Sequence, residues 1–442
     1  MADMADDKKT LPKPAAPTLK IMRGELGTSM KLLKISQESL QSATNPNATK
    51  TETAKFRITQ LQSHGQSSLA YSSLQSGMQY YMHPEYGYVA YRPMRDGPDS
   101  VCVLADPICS PENLKNLIDE FLKVKKDPIF MHCSHATGKI LNEYGFSVNE
   151  LGVETIIDVQ NFDLVGSKKE QLRRARNGAK KDNLSVIEIE AVDDQMLAAL
   201  KKISDDWMAG KVVNSNEMQF IVRPLVYIDE IDVRKFVAIK DKEIVGMVIF
   251  DPMYDDNRVS GYIANHLRSN LERPYSVVDF IILEALDKFK EEGIRDLSLG
   301  LSPLFKVDDS QEFRYSRLLK LILQYAFENA NYVYNFKNLA QHKSKYRPEL
   351  KGAREEKVYC AMKTRFFLSR MHDVNNLLGL HPVRTTLYHC AQRAADYFHT
   401  LVEHKGETEK PESKKSDSDK PKNTESKKSE SKKPESKKQE PK

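Results

Sequence analysis

The sequence predicts a mixed α/β fold built as two consecutive units. Short β-prone runs alternate with amphipathic helical stretches between about residues 56 and 370, and the same order of elements occurs twice. The 442 residues are enough chain for several domains of about 100–200 residues each. We therefore expect two α/β units, each with its own mixed sheet and few helices.

The first unit, residues 56–165, is expected to begin as a set of short strands separated by turn residues. A helix follows, because Ser110 favours an N-cap and Pro111 favours the first helical position. The predicted elements are strands at 79–82, 87–91 and 101–105, a helix from 110 to about 126, a strand at 129–132, a helix at 135–144 and a strand at 154–159.

The second unit, residues 186–370, repeats this rhythm. Ser276 at an N-cap and Asp279 three residues later resemble a capping box, which predicts a helix start there. The predicted elements are a helix at 196–208, strands at 237–240, 244–250 and 260–264, a helix at 276–291, a strand at 296–300, a helix at 314–328 and a short strand at 332–336.

Polar segments flank the two units. We expect residues 1–55 to be a mostly disordered leader with one helix at 22–40, and 371–404 to be an amphipathic helical extension. That extension is expected either to pack on the protein body or to lie on a membrane surface. The Lys/Glu/Ser-rich tail, 405–442, has 13 Lys, nine acidic residues and no aromatic residue, so we expect it to be disordered.

Charge and cysteine content exclude several classes of protein. Without the tail, 54 basic and 53 acidic residues nearly cancel, so binding of a polyanion requires a local basic patch. Five cysteines without a CxxC pair argue against a disulfide framework or a structural zinc site. His132 and His135 flank Cys133, but the further ligands that a metal ion needs are not evident, and we expect no metal site. No stretch of about 18 apolar residues predicts a transmembrane helix.

The local basic patch lies between the two units, in a predicted linker helix at 166–185. Seven of its residues are basic, and four of them share one helical face: Lys169, Arg173, Arg176 and Lys180. Like charges at this spacing repel, and RNA phosphates or anionic lipid headgroups would relieve the repulsion. The alternative is a solvated helix without a partner.

Several segments together resemble the catalytic domain of the phosphatidylglycerol lysyltransferase (multiple peptide resistance factor) family. The resemblance covers about residues 60 to 367. The segments that carry it are Gly87–Tyr91, Val103–Ile108, Tyr144–Phe146, Leu172–Asn177, Ser204–Trp207, Leu297–Leu304, Tyr334–Phe336 and Lys343–Tyr346. It implies a tandem GNAT-like acyltransferase fold, in which two mixed sheets are joined by a basic helix that receives the tRNA acceptor end. It also implies a tunnel through the second half.

The resemblance implies a function as well. Members are aminoacyl-tRNA-dependent aminoacyl-phosphatidylglycerol synthases, so we expect transfer of an amino acid from aminoacyl-tRNA, as co-substrate, to a lipid hydroxyl without another cofactor. The expected partners are aminoacyl-tRNA and an anionic phospholipid surface, and the expected location is cytoplasmic, peripheral on the inner face of the membrane. Full-length members carry a multi-span membrane domain ahead of this one, which we do not expect here.

Two alternatives remain open at this point. The acceptor could be another lipid, a sterol or a small metabolite, or the chain could be a non-catalytic GNAT-fold module that binds RNA or membrane. Acetyl-CoA transfer is disfavoured, because the segment 265–275 has no glycine for a pyrophosphate cradle and contains a proline without an N–H.

Candidate site residues follow from position and from the resemblance. Arg268 is expected to be a fixed cation for a phosphate or a developing oxyanion, or otherwise a surface arginine. Asn265, where the family has an acid, would contact the aminoacyl part, and His266 is a candidate general base. Asp279 is either a substrate ligand or only a helix cap. Lys343 and Lys345, two residues apart, would share a face of an extended chain and bind phosphate.

Overall fold

The structure is a computed structural model that describes residues 50–95, 100–209, 218–270, 273, 275–331, 334–363 and 367–379. Its strands are β1 Gln79–His83, β2 Gly87–Pro93, β3 Val101–Leu104, β4 Ile108–Cys109, β5 Ile129–Cys133, β6 Ser147–Asp158, β7 Ser185–Glu188, β8 Arg234–Lys240, β9 Glu243–Asp255, β10 Arg258–Ser269, β11 Asp296–Pro303 and β12 Ala353–Met362. Its α-helices are α1 Lys50–His64, α2 Leu114–Val124, α3 His135–Glu143, α4 Glu170–Lys181, α5 Asp194–Ala209, α6 Val277–Glu291, α7 Arg317–Asn329, α8 Phe336–Ser344 and α9 Phe367–Leu377.

Each half contains the same local pattern of strands. Antiparallel strands come first, and then two parallel strands are joined by a helix: β3–α2–β5 in the first half and β10–α6–β11 in the second. Parallel neighbours require such a crossover, which is usually helical. The α/β class with mixed strand directions, expected from the sequence, is therefore confirmed.

The final strands of the two halves are exchanged. β12, from the second half, pairs antiparallel with β5 of the first, and β6, from the first half, pairs antiparallel with β11 of the second. β6 and β12 also pair with each other, so all the described strands form one sheet in the order β1-β2-β3-β5-β12-β6-β11-β10-β9-β8-β7, with β4 on β2. The expectation of two separate sheets was wrong, because the exchange joins them edge to edge.

Hydrophobic packing on the two faces of the sheet also connects the halves. One cluster combines Tyr88 and Met131 of the first half with Tyr254 and Leu301 of the second, under Leu61 of α1. The other face holds two clusters, one with α2 and α3 against the first half and one with α4 and α6 against the second. The amphipathic helices thus cover both faces of the sheet, as its strands require for burial.

Most predicted elements agree with the structure within a few residues. The short strand predicted at 332–336 is not formed at its described residues, 334–336, because Phe336 begins α8 and its side chain is buried. Helix α1 begins at Lys50, inside the predicted leader, and was not expected from the sequence; β7, α8 and β12 were not expected either. The helix predicted at 22–40, the tail, and the extension beyond residue 379 lie outside the described residues.

Candidate functional site

A polar strip on β10 begins where its pairing with β11 ends. The parallel register joins only Gly261–Ile263 to Asp296–Ser298, and beyond these residues the two strands diverge. Asn265, His266 and Arg268 follow, next to a bulge in the pairing with β9. Arg268 is only 4 % exposed, so it is not the surface arginine that the sequence allowed as the alternative, and His266 is only 2 % exposed. The three candidates that were proposed from the sequence do lie together.

Asn265 lies against a buried ion-pair network. Its amide Nδ2 donates to Asp251 Oδ2 at 2.6 Å, and Asp251 is fully buried on the neighbouring strand β9. Arg223 donates to both oxygens of Asp251, at 2.7 and 2.6 Å, and to both oxygens of Glu230, at 3.0 Å each. Burial raises the pKa of Glu230, an effect that Arg223 opposes. A carboxylate therefore sits beside position 265 although Asn265 has none.

Arg268 is held by an aromatic neighbour. Its guanidinium carbon lies 4.9 Å from the ring centre of Trp207, which is half-buried on α5. A guanidinium stacked on an indole keeps its charge and its orientation. This contact fixes the cation on the same side of the sheet as Asp251, since Arg268 pairs with Met247 and alternate residues of β9 share a face.

Asp279 does more than cap α6. Its backbone N–H donates to Ser276 Oγ at 3.1 Å, as the predicted capping box requires. Its buried carboxylate also accepts from Lys345 Nζ and from the Tyr346 hydroxyl, each at 3.0 Å, with His342 Nδ1 at 3.5 Å. The buried Asp279 and the part-buried Lys345 form an ion pair, so these two substrate-binding candidates meet each other.

The prediction that Lys343 and Lys345 share a face of an extended chain was wrong. Lys343 is in the last turn of α8 and Lys345 is its C-cap residue, so the helix turns the two side chains apart. Lys343 is 5 % exposed, and its Nζ donates to the backbone oxygen of Leu301. Burial lowers the pKa of Lys343 to about 7, with Glu154 opposing the shift.

The predicted tRNA-binding face of the basic helix faces the protein. Lys169 is 2 % exposed and donates to Asp163 O at 2.7 Å, while Arg173 donates to the backbone oxygens of Leu164 and Gly166. Ser167 begins a short 3-10 turn, and Lys169 is the N-cap residue of α4 without a capping side chain.

The rest of that face contacts α6. Arg176 binds Glu284 at 3.1 Å and Asp287 at 2.8 Å, and Lys180 lies 3.5 Å from Glu284 while remaining exposed. Sequence periodicity could not show that acidic residues of α6 lie opposite Arg176 and Lys180. The exposed basic residues of this segment are Lys168, Arg174, Lys180 and Lys181.

A cavity of about 720 Å³ lies at the carboxyl ends of β3 and β5, beside β6 and β12. Its lining includes Asp106, His132 and Glu154. Glu154 is buried and accepts from Ser298 Oγ, and Asp106 Oδ1 accepts from the Ser134 N–H at 2.9 Å. Glu154 was not among the residues predicted from the sequence, although an acidic residue within the apolar run 151–159 was a usable signal.

The family described as phosphatidylglycerol lysyltransferase, C-terminal, matches residues 58–361, which is more than half of the chain and includes both halves of the sheet. The chain belongs to this phosphatidylglycerol lysyltransferase C-terminal family. The resemblance inferred from the sequence is therefore confirmed.

Relatives in this family are similar at a moderate level. The chain is 25 % identical to the phosphatidylglycerol lysyltransferase of Bacillus subtilis over 63 % of its length, and 28 % identical to that of Staphylococcus xylosus over 56 %. It matches 31 % and 29 % of those two proteins, and so spans about a third of their length.

Solved structures show the same fold. L-PGS from Bacillus licheniformis aligns with a TM-score of 0.61 at 21 % identity, over 74 % of this chain and 96 % of that one. The C-terminal domain of a putative lysylphosphatidylglycerol synthetase from Agrobacterium fabrum aligns with a TM-score of 0.60 at 19 % identity, over 76 % and 99 %. In the part of this chain that the structure describes, no helix is long and apolar enough to cross a membrane.

Proposed function

We propose that this protein is an aminoacyltransferase that moves an amino acid from aminoacyl-tRNA to a hydroxyl of phosphatidylglycerol. The single observation that carries the proposal is the family match over residues 58–361. The names of the relatives supply the lipid, and the resemblance of the sequence segments supplies the tRNA donor. The buried polar strip at the divergence of β10 and β11 is the best-supported place for the chemistry.

The reaction is an ester exchange. The lipid hydroxyl oxygen bonds to the ester carbonyl carbon, the bond from that carbon to the tRNA ribose oxygen breaks, and one proton passes from the lipid hydroxyl to the ribose oxygen. Because the ester is already activated, the protein mainly has to position the two partners and stabilise the oxyanion. No cofactor other than the aminoacyl-tRNA is required by this balance.

The polar strip offers groups for these tasks. Arg268, stacked on Trp207, is a fixed cation for the oxyanion or for the lipid phosphate. His266 is the candidate proton acceptor, and Asn265, together with Asp251, presents hydrogen-bonding groups to the aminoacyl part. Lys345 is held by Asp279, and Lys343 lies in the divergence of the strands, so both are assigned here to phosphate binding or to positioning.

The tRNA is assigned to the outer side of α4. Lys168, Arg174, Lys180 and Lys181 are exposed and can bind phosphates, whereas Lys169, Arg173 and Arg176 hold the helix in place. A lipid acceptor requires contact with a membrane surface, so we assign the protein to a peripheral position on the cytoplasmic face.

The test is aminoacyl transfer with purified protein. Total tRNA charged with one labelled amino acid at a time is mixed with vesicles that contain phosphatidylglycerol, and label in the organic phase is counted. Label in lipid for at least one amino acid is the expected result. Ester consumption without lipid label would instead indicate another acceptor, and no consumption with any charged tRNA would overturn the proposed reaction.

A further inference from the structure

A strained turn precedes the arginine of the buried ion-pair network beside the polar strip. Arg223 directly follows the turn 218–222. Inside this turn, Phe220 has a φ of 71° although it is only 1 % exposed, and the Ile221 N–H donates to the backbone oxygen of Gln219 at 2.9 Å. A hydrogen bond over two residues around a positive φ is a γ-turn of the rare, strained kind. Such a turn persists only where the surrounding structure holds it.

The first half of the protein holds this turn through Gln75. The side-chain Nε2 of Gln75 donates to the backbone oxygen of Phe220 at 2.8 Å, and its Oε1 accepts from Arg92 at 3.1 Å. Gln75 is buried, so both ends of its amide are used inside the protein. The guanidinium carbon of Arg92 also lies 5.7 Å from the centre of the Phe220 ring. The residue with the strained φ is therefore contacted at its carbonyl and at its ring.

The end of helix α9 holds the same turn from the other side. The Gln219 N–H donates at 3.1 Å to the backbone oxygen of Leu378, the residue directly after α9. Leu378 and Val374 belong to one buried hydrophobic cluster with Phe220. At Gly379, φ is 67° and an added Cβ would lie 3.1 Å from the Gln219 side chain, so a residue larger than glycine would strain this contact.

Near its start, α9 is anchored to the first half. Arg370 is buried, and its guanidinium donates to Ser100 Oγ at 2.5 Å and binds the carboxylate of Asp127. Ser100 precedes β3 and Asp127 precedes β5, so α9 bridges the parallel strands of the first half and the strained turn. The family match ends at residue 361, and α9 lies beyond it.

We propose that α9 and Gln75 position Arg223 for the candidate site. Together they hold the strained turn, the turn aims the guanidinium at Asp251, and Asp251 accepts the hydrogen bond from Asn265. Gln75 and Arg370 are then positioning residues, which act through Arg223. The inference rests on the proposed function only for the chemical role of the polar strip, and its test requires no transfer reaction.

Hydrogen exchange on the full chain, read by mass spectrometry, tests the hold on the turn. Arg370→Ala should accelerate exchange of the amides of residues 219, 221 and 222 by about tenfold or more, because these N–H groups donate to α9 or within the turn. Exchange in α6 should stay as in the parent, since general destabilisation would accelerate it as well. His372→Ala, on the exposed side of α9, is the matched control and should exchange like the parent. Arg370→Lys, which keeps a cation for Asp127, should restore most of the protection.

Fluorescence reports whether the effect reaches the polar strip. Trp207 is the single tryptophan of the chain and lies against Arg268. Arg370→Ala and Gln75→Ala should each shift its emission maximum or its quenching by iodide, and Arg223→Ala should do the same. Adding Arg370→Ala to Arg223→Ala should cause no further shift, because the helix is expected to act through this arginine.

The outcomes separate positioning from a purely structural role. Gln75→Ala replaces Arg370→Ala as the test of the turn if the latter does not fold. The proposal is overturned if the folded variants leave exchange in the turn unchanged, if exchange accelerates equally in α6, or if Trp207 fluorescence stays that of the parent. Absence of lipid labelling by the parent protein would overturn the transfer reaction alone.

Discussion

The side-chain amide of Asn265 donates a hydrogen bond of 2.6 Å to the carboxylate of Asp251. The sequence has an amide at the position where the family resemblance places an acid, yet the fold supplies a carboxylate from the adjacent strand. Because Arg223 already binds both oxygens of Asp251, that carboxylate is largely neutralised. The amide of Asn265 can donate a hydrogen bond to Asp251, whereas a carboxylate at position 265 would have no proton to donate and would repel Asp251.

Replacement of Asn265 by Asp tests this relationship. Asn265→Asp places two carboxylates in contact in a buried site, so we expect the free energy of unfolding to fall by about 2–3 kcal/mol at pH 7.5 and by less at pH 5, where the pair can share a proton. Urea unfolding at both pH values measures this loss of stability. Asn270→Asp is the matched control, because Asn270 donates to Asp206 at 3.0 Å on the surface and a carboxylate there should cost under about 0.5 kcal/mol. Equal losses for the two variants would contradict the prediction.

Arg268 should control transfer rather than folding of the sheet. If its guanidinium stabilises the oxyanion, Arg268→Ala should lower the rate of lipid labelling by about 10²–10³-fold. Arg268→Lys should recover only part of this, since an ammonium lacks the planar fork that stacks on Trp207. Arg258→Ala, at the exposed start of the same strand, is the control and should label lipid like the parent. Full activity of Arg268→Ala would remove this residue from the site.

The two sides of α4 should respond differently to mutation. The double variant Arg174→Glu with Lys181→Glu changes exposed residues, so it should weaken tRNA binding and reduce the slope of log affinity against log salt by about one to two. Arg176→Ala should instead lower the free energy of unfolding by about 1 kcal/mol, because Asp287 loses its arginine partner and Glu284 keeps only Lys180. Filter binding over a salt series and thermal unfolding separate the two effects. Unchanged tRNA affinity in the double variant would exclude the outer side of the helix.

Lys343 makes stability depend on pH in a defined direction. Its folded-state pKa of about 7 is far below the ordinary lysine value of 10.5, so between these pH values the unfolded chain binds one more proton than the folded chain. Stability must then rise with pH, by about 1.4 kcal/mol per unit, and the Lys343→Met variant lacks this contribution. From pH 7.5 to 9.5 the wild type should gain about 2–3 kcal/mol relative to Lys343→Met in urea unfolding. A constant difference across that range would contradict a buried, largely neutral amine.

Local sequence signals predicted most helices and strands, but not the exchange of the final strands β6 and β12 between the two halves. The capping pair Ser276 and Asp279 located the start of α6, because a cap depends on residues three positions apart. The pairing of β12 with β5 and β6 depends on residues that are far apart in the chain, and no periodicity within either segment encodes it. Within the site, the cluster on β10 was predictable as a cluster because its three members lie within four residues of the chain.

The remaining site residues needed tertiary structure. Lys343 and Lys345 were assigned to an extended chain, and only the helix α8 shows that they diverge. The basic helix was located correctly from its composition, but the acidic residues that bind its inner face come from α6, more than 100 residues later. A charged face that meets opposite charge inside the protein has the same sequence pattern as one that faces solvent.

The exchange of final strands also affects how the chain can fold during synthesis. Cys133 at the end of β5 contacts the backbone oxygen of Tyr359, 226 residues later, so the first half cannot complete its sheet until the second half has left the ribosome. Until then the edges of β5 and β6 remain without their β12 neighbour, and such open edges favour association with other chains. The high contact order of this pairing predicts slow folding, and it predicts that neither half, expressed alone, behaves as an independent domain.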